Sequence, residues 1–195
     1  MNMKKGILYA VILLLGSTAT MMGQDKIEWQ DWTSGINKGQ QQKKKYIVDL
    51  YTDWCGWCKK MDKTTFQDSF ITDYISEHYV AIKFNAEQRE PITFKNEEYV
   101  FTKGGRRGYH ALAAKITNSQ LRYPTIVFLD ENANVIQAIP GFQSPENLER
   151  IMTYFAEDHH KTTPWVVYQR NYQRELKPQS LEMKNMNHTK LVKGN

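Results

Sequence analysis

Apolar residues follow two rhythms along this chain, short runs of β-formers and longer stretches in which they recur every three to four positions. Tyr46-Ile47-Val48-Asp49-Leu50-Tyr51 is apolar but for one acid and predicts a short buried strand. From Lys59 to Tyr79, Met61, Phe66, Phe70, Ile71, Tyr74 and Ile75 keep helical spacing with one interruption. Tyr79 to Asn85 reads as the next strand. Tyr123-Pro124-Thr125 opens another, Ile126 to Asp130, and proline is tolerated in a sheet only at a strand start or an edge. The turn Glu131-Asn132-Ala133-Asn134 then lets Val135 to Ile139 pair back as a hairpin strand. Pro140-Gly141-Phe142 ends that strand. Ser144 as cap and Pro145 at the first helical position start a helix with Leu148, Ile151, Met152 and Phe155 on its core face.

Elsewhere the pattern is looser. Ile27 and Trp29 can begin an edge strand, and Asp31-Trp32-Thr33-Ser34 offers capping residues for a short helix running toward Lys45. Between Asn85 and Tyr123, Ile92-Thr93-Phe94 and Tyr99-Val100-Phe101, separated by Lys95 to Glu98, predict a hairpin. Gly104-Gly105-Arg106-Arg107-Gly108 predicts a turn and Tyr109 to Ile116 a short helix, with His110 at its start and a catalytic part for that histidine the lesser reading. Trp165, Val166, Tyr168 and Tyr172 suit one more short amphipathic helix lying on the domain. From about Lys177 to Asn195 the chain is polar, basic and aperiodic, and is expected to be disordered.

Met1 to Gly23 has the parts of a secretory signal: Lys4 and Lys5, the apolar run Ile7 to Leu15, then Gly16-Ser17-Thr18-Ala19. The run is far shorter than the roughly 20 residues of a spanning helix. Cleavage after Ala19 or after Gly23 fits, with an uncleaved tether as the alternative. The expected organisation is a signal over 1–23, one domain over 24–160 and an extension over 161–195, placing the mature chain in the periplasm or outside the cell. The 195 residues carry a net charge of +5, about +3 once the signal is removed. That mild charge, with no base-reading or phosphate-cradling motif, argues against nucleic acid as a partner.

The only two cysteines are Cys55 and Cys58, in Trp54-Cys55-Gly56-Trp57-Cys58-Lys59, where the first strand gives way to a helix. Free backbone N–H groups and the helix dipole at such a junction stabilise a thiolate, which is the nucleophilic form. Cys55, nearest the helix start, is the candidate attacking thiol, and Cys58, one turn on and more buried, the resolving thiol. Haem attachment needs a histidine where Lys59 stands. Structural zinc needs four ligands, and there is no second cysteine pair. His159-His160 is a weak metal cluster, with no thiol nearby in sequence. No cofactor and no resident metal are expected. A structural bridge would close too small a loop to constrain the unfolded chain much. Dithiol redox chemistry is the leading reading. Asp49, six residues before Cys55, needs a reason to sit in an apolar strand, because an unpartnered buried carboxylate is costly.

The stretch from Tyr46 to Lys60 resembles the active-site strand and helix start of the thioredoxin superfamily. Asp53-Trp54-Cys55 with Cys58-Lys59 and Thr65-Phe66 is similar to its secreted branch, which includes the periplasmic C-terminal domain of DsbD. The likeness covers about Ile27 to Glu157. It implies an α/β thioredoxin-like fold, a central mixed β-sheet flanked by helices, here with a hairpin and helix inserted before the proline-led strand. It also implies that Asp49 exchanges a proton with Cys58 and that Lys83, in Lys83-Phe84-Asn85, lies near the acid. By the same likeness Pro124 is cis and packs against the cysteine pair. Tyr123 and Pro124, with Trp54, Gly56 and Trp57, then form the surface that holds substrate. Gly141 resembles the glycine that lets the hairpin edge pass close to the site. Thioredoxin itself has Gly-Pro between its cysteines where this chain has Gly56-Trp57, so the redox potential does not carry over.

The expected activity is thiol:disulfide exchange in the cell envelope, by a redox-active Cys55–Cys58 pair in a monomer. Its partners are protein thiols and disulfides and a membrane or periplasmic thiol redox partner. A buried acid beside the pair disfavours an unusually stabilised thiolate, so reduction or isomerisation is expected in preference to strong oxidation. Metal handling, with copper or zinc on the two thiolates, and a non-catalytic binding scaffold are the alternatives. The insertion suits partner choice, since loops on a fixed scaffold usually carry specificity.

Overall fold

The computed structural model of the chain describes residues 26–104 and 107–173. The expected signal, Gly105-Arg106 of the expected turn, and the expected disordered tail lie outside the described residues.

Four strands make the central sheet: β1 (Lys45–Tyr51), β2 (Tyr79–Asn85), β7 (Thr125–Leu129) and β8 (Val135–Pro140), ordered β2-β1-β7-β8. β1 and β2 run parallel, with the helical segment 56–78 as the crossover that parallel pairing requires. β7 pairs antiparallel with β1, and β8 antiparallel with β7. Ile27 and Trp29 do not open a strand. The segment reaches the sheet only at Gln30, whose backbone bonds Ala81 and Lys83 at 2.9 Å on either side of Ile82.

Side chains alternate across a strand, so β1 divides its residues between two cores. Tyr46, Val48 and Leu50 join Trp32 and Ile36 of α1 (Trp32–Gln42) and Leu112 and Ile116 of α4 (Ala111–Ile116). Ile47 joins Met61 of α2 (Gly56–Lys63), Ile71 and Ile75 of α3 (Ser69–His78), and Leu148 and Met152 of α5 (Pro145–Ala156). Asp49 shares the parity of Ile47. It therefore belongs to the face that α2 covers.

Two helix starts follow the residues anticipated for them. Asp31 caps α1, accepting from Ser34 N at 3.0 Å, and Ser144 caps α5 with Pro145 in its first turn. The interrupted stretch resolves into α2, a short 3₁₀ turn at Thr65–Gln67, and α3 capped by Asp68. α6 (Trp165–Asn171) lies against α5, with Tyr168 Oη donating to Thr153 at 2.8 Å and Tyr172 Oη to Glu149 at 2.9 Å.

The insertion departs from the expected pattern in two places. β3 (Ile92–Phe94) pairs with β4 (Glu97–Tyr99), so the connection is only Lys95-Asn96, both left-handed, and the paired strand ends at Tyr99. A two-residue turn with both φ positive matches the twist of the flanking strands better than a longer linker. Phe101–Thr102 instead forms β5 with β6 (Tyr109–His110), and the helix starts only at Ala111.

Candidate active site

Cys55 ends the loop after β1 and is the N-cap of α2, a position where a side-chain acceptor satisfies one of the helix's free N–H groups. Its Sγ accepts from Cys58 N at 3.1 Å, and its own N–H donates to Thr52 O at 3.1 Å. The two cysteines are joined, Sγ to Sγ at 2.08 Å, and both are buried. In this oxidised state Cys58 is the more buried of the two, as the sequence predicts, but only narrowly, at 2% exposed against 4% for Cys55. Gly56 next to it borders open space: a Cβ there would meet nothing within 4 Å.

Asp49 is 1% exposed, and Lys83 Nζ donates to its Oδ2 at 3.0 Å. Its Oδ1 is buried and has no hydrogen-bond partner among the described residues. Burial disfavours the charged form and outweighs the attraction of Lys83, raising the Asp49 carboxyl to about 6. Burial works to lower Lys83, but the attraction of Asp49 and a hydrogen bond to Asp62 overcome it and hold the ammonium above its ordinary value. Lys83 thus bridges two carboxylates, Asp49 on β1 and Asp62 on α2. Its ammonium also lies 5.1 Å from the Trp29 ring centroid and 5.2 Å from that of Tyr51.

The Tyr123–Pro124 bond is cis. The ring of Tyr123 meets that of Trp54 edge-on at 6.0 Å, and Trp54 Nε1 donates to Glu87 Oε1 at 2.9 Å. On the other side Trp57 lies 5.4 Å from Phe142. Trp54 and Trp57 are the two large aromatics left exposed among the described residues. Gly141 has φ +95, and no atom lies within 4 Å of where its Cβ would be. Its glycine is required by backbone conformation, where a close approach was expected.

Cys55, Cys58, Trp54, Gly56 and Trp57 gather at the start of α2, Tyr123 joins them through Trp54, and Asp49 and Lys83 pair on the neighbouring strands. His110 is fully buried: its ring caps α4 through Leu112 N at 3.3 Å and contacts Glu90 O at 3.1 Å. Burial lowers its pKa, as suits a neutral structural imidazole. Asp62, Phe142, Glu87 and Lys60 do not stand out as site residues in the sequence, and Arg107 does so only as one of two arginines in the glycine-rich turn, where a solvated loop is the commoner reading and anion binding the lesser. Asp62 had a readable signal, because it stands four residues after Cys58 on one helix and so shares its face. The others meet the site only through the fold. Among the described residues no group of three or more His, Cys, Asp or Glu side chains is placed to hold a metal.

A thioredoxin-like domain family matches the chain over residues 34–156. The thiol:disulfide interchange protein DsbD of Pectobacterium atrosepticum is 27% identical over 128 residues, 65% of this chain and 18% of that protein. DsbD of Yersinia pestis is 31% identical over 105 residues, 53% of this chain and 14% of that protein. The chain thus spans less than a fifth of the length of either relative. Among solved structures, a thioredoxin of Thermus thermophilus superposes with a TM-score of 0.50 at 15% identity, over 71% of this chain and 99% of that one. A thioredoxin-fold protein of Helicobacter pylori does so at 0.50 and 18%, over 65% and 83%. At these identities the structures speak for the fold alone.

Proposed function

Because the chain belongs to the thioredoxin-like domain family, with a CxxC disulfide at a helix start, we propose that it is a thiol:disulfide oxidoreductase of the cell envelope. The observations that carry this reading are the Cys55–Cys58 disulfide at the start of α2 and, on the sheet face that α2 covers, the buried Asp49 carboxylate, one oxygen of which has no hydrogen-bond partner among the described residues.

In the reduced protein the Cys55 thiolate attacks one sulfur of a substrate disulfide. The substrate S–S bond breaks, a Cys55–substrate disulfide forms, and the first substrate thiolate leaves. Cys58 gives its proton to the Asp49 carboxylate and attacks Sγ of Cys55. The mixed disulfide breaks, the Cys55–Cys58 bond closes, and the second substrate thiolate departs. Two electrons pass from the protein dithiol to the substrate, whose two sulfurs take up two protons. A membrane or periplasmic thiol partner then reduces Cys55–Cys58 again. Lys83 is a positioning residue that sets the proton affinity of Asp49.

Trp54, Trp57, Tyr123 and Pro124, with Gly56 open between the cysteines, form the substrate surface. The backbone of Tyr123 serves an extended segment through main-chain hydrogen bonds, which read no side chains. The signal pattern over 1–23 supports export. A secreted chain with two cysteines, both in the motif, has no other disulfide to protect. The raised carboxyl of Asp49 supports reduction or isomerisation over strong oxidation. Insulin reduction by wild type and by Cys55→Ser tests the activity, and equal rates end this reading. Cys58→Ser should stall mixed disulfides on Cys55 with the natural substrates.

A further inference from the structure

Each tryptophan beside the disulfide carries a cation on its ring. Lys60 Nζ lies 4.8 Å from the Trp57 centroid and 5.1 Å from that of Phe142. The Arg107 guanidinium lies 5.1 Å from the Trp54 centroid. Neither cation has a carboxylate partner among the described residues, whereas Lys38, Lys45, Lys83 and Lys161 are all ion-paired. Exposed Lys59 and Lys63 add positive charge on α2. Of the neighbouring acids Asp62 is ion-paired with Lys83, while Asp53 and Glu87 accept from neutral donors, the Asn85 amide at 3.1 Å and the Trp54 indole at 2.9 Å, and so offset part of the positive charge. A basic residue late in a helix ordinarily serves the helix dipole. Lys60 instead reaches over Trp57, three residues toward the N-terminus and so toward the disulfide.

The rings hold these charges in place and shield part of their surface from water, while Trp54 and Trp57 remain half exposed and open to a docking chain. We infer that this face docks extended polypeptide segments whose cystine is flanked by aspartate or glutamate. This rests on the exchange reading above and deepens it by naming the substrate class. A carboxylate on either side of the substrate cystine would meet Lys60 or Arg107, the latter in a bidentate fork. The adjoining residues would lie on the two indoles. Arg107 comes from the insertion and Lys60 from α2, so the preference depends on the insertion as well as the redox helix. Charge complementarity of this kind chiefly speeds encounter and weakens with salt.

The test uses three synthetic peptides of one length, each closed by a single disulfide and differing only in Asp, Ser or Lys flanks. The reduced protein is mixed with each, and every second-order rate is divided by the rate of the same peptide with dithiothreitol, which removes intrinsic reactivity. At low ionic strength the Asp-flanked peptide should be reduced about tenfold faster than the Lys-flanked one, with the ratio falling toward unity in strong salt. Lys60→Glu with Arg107→Glu should invert the order. Equal normalised rates on all three peptides, or an order untouched by that double change, overturn the acidic preference and leave the exchange reading standing. Failure to reduce any of the three defeats the exchange reading, and this inference with it.

Discussion

Lys83 Nζ stands 3.0 Å from Oδ2 of Asp49, while Oδ1 of the same carboxylate is buried and has no hydrogen-bond partner among the described residues. The two residues face each other in the parallel register of β1 and β2. One ammonium satisfies half of the acid, and burial keeps the other half expensive to ionise. The result is a carboxyl raised to about 6, poised between proton donor and acceptor at near-neutral pH.

If Asp49 takes the proton of Cys58, release of substrate from the mixed disulfide should depend on pH through this group. The rate should climb as pH passes about 6 and then level. Asp49→Asn should lose that limb and slow release at neutral pH by about tenfold or more. Stopped-flow release of a fluorescent peptide from its Cys55 adduct measures both. A wild-type profile flat between pH 5 and 8 would remove Asp49 from the mechanism.

The same titration makes a statement about stability. The carboxyl holds its proton more tightly in the fold, at about 6, than the ordinary 3.8. Its contribution is therefore full below the lower value and lost as pH rises through the upper one, about 3 kcal/mol in all. Asp49→Asn keeps the shape without the charge. It should be more stable than wild type by about 2 to 3 kcal/mol at pH 8, and equal to it near pH 4. Urea unfolding of both oxidised proteins at the two pH values decides this.

What the sequence disclosed was whatever local chemistry enforces. A run of β-formers followed by a cysteine pair at a helix start is a local pattern, and so is Ser144-Pro145 before an apolar stripe. An acid at Asp49 stood out because its strand neighbours are apolar. Asp62 is legible as a residue on the face of Cys58, but its meeting with Lys83, 21 residues away along the chain, comes only from the stacking of α2 on the sheet. Phe142 and Arg107 reach the two tryptophans from a strand end and an inserted loop, and no spacing in the chain records such meetings. The insertion departs from its pattern for a narrower reason. Lys95 takes a left-handed conformation that its side chain does not advertise, so the turn is shorter and β4 starts earlier than the apolar spacing predicts.

Two glycines test the fold independently of the chemistry. A Cβ on Gly39 would sit 2.2 Å from the Tyr46 ring, which is fully buried and holds Ile36 O with its hydroxyl at 3.1 Å. Gly39→Ala should therefore destabilise by about 1 to 3 kcal/mol, although alanine is the better helix former. Gly56→Ala meets open space at the start of α2 and should be neutral or stabilising by up to about 1 kcal/mol. Thermal unfolding of the two variants side by side checks the contrast, and a Gly39→Ala protein as stable as wild type would contradict the packing of α1 on β1.

Lys83 and Asp62 act on Asp49 in opposite senses, which gives a pair of substitutions whose signs must differ. The lysine charge lowers the Asp49 carboxyl, while the Asp62 charge raises it. Lys83→Met keeps the aliphatic stem among Trp29, Tyr51 and Phe66 but removes the charge, so the Asp49 inflection should move above 6 by about a unit or more. Asp62→Asn removes a repelling charge and the competitor for the ammonium, leaving Lys83 to Asp49 alone, so the inflection should move below 6. Carbon-13 titration of the Asp49 carboxyl reads both shifts directly. The release kinetics should follow them, extending proton acceptance to lower pH in Asp62→Asn and confining it to higher pH in Lys83→Met. Shifts of one sign in both variants would mean that the bridge is not what sets the proton affinity of the buried acid.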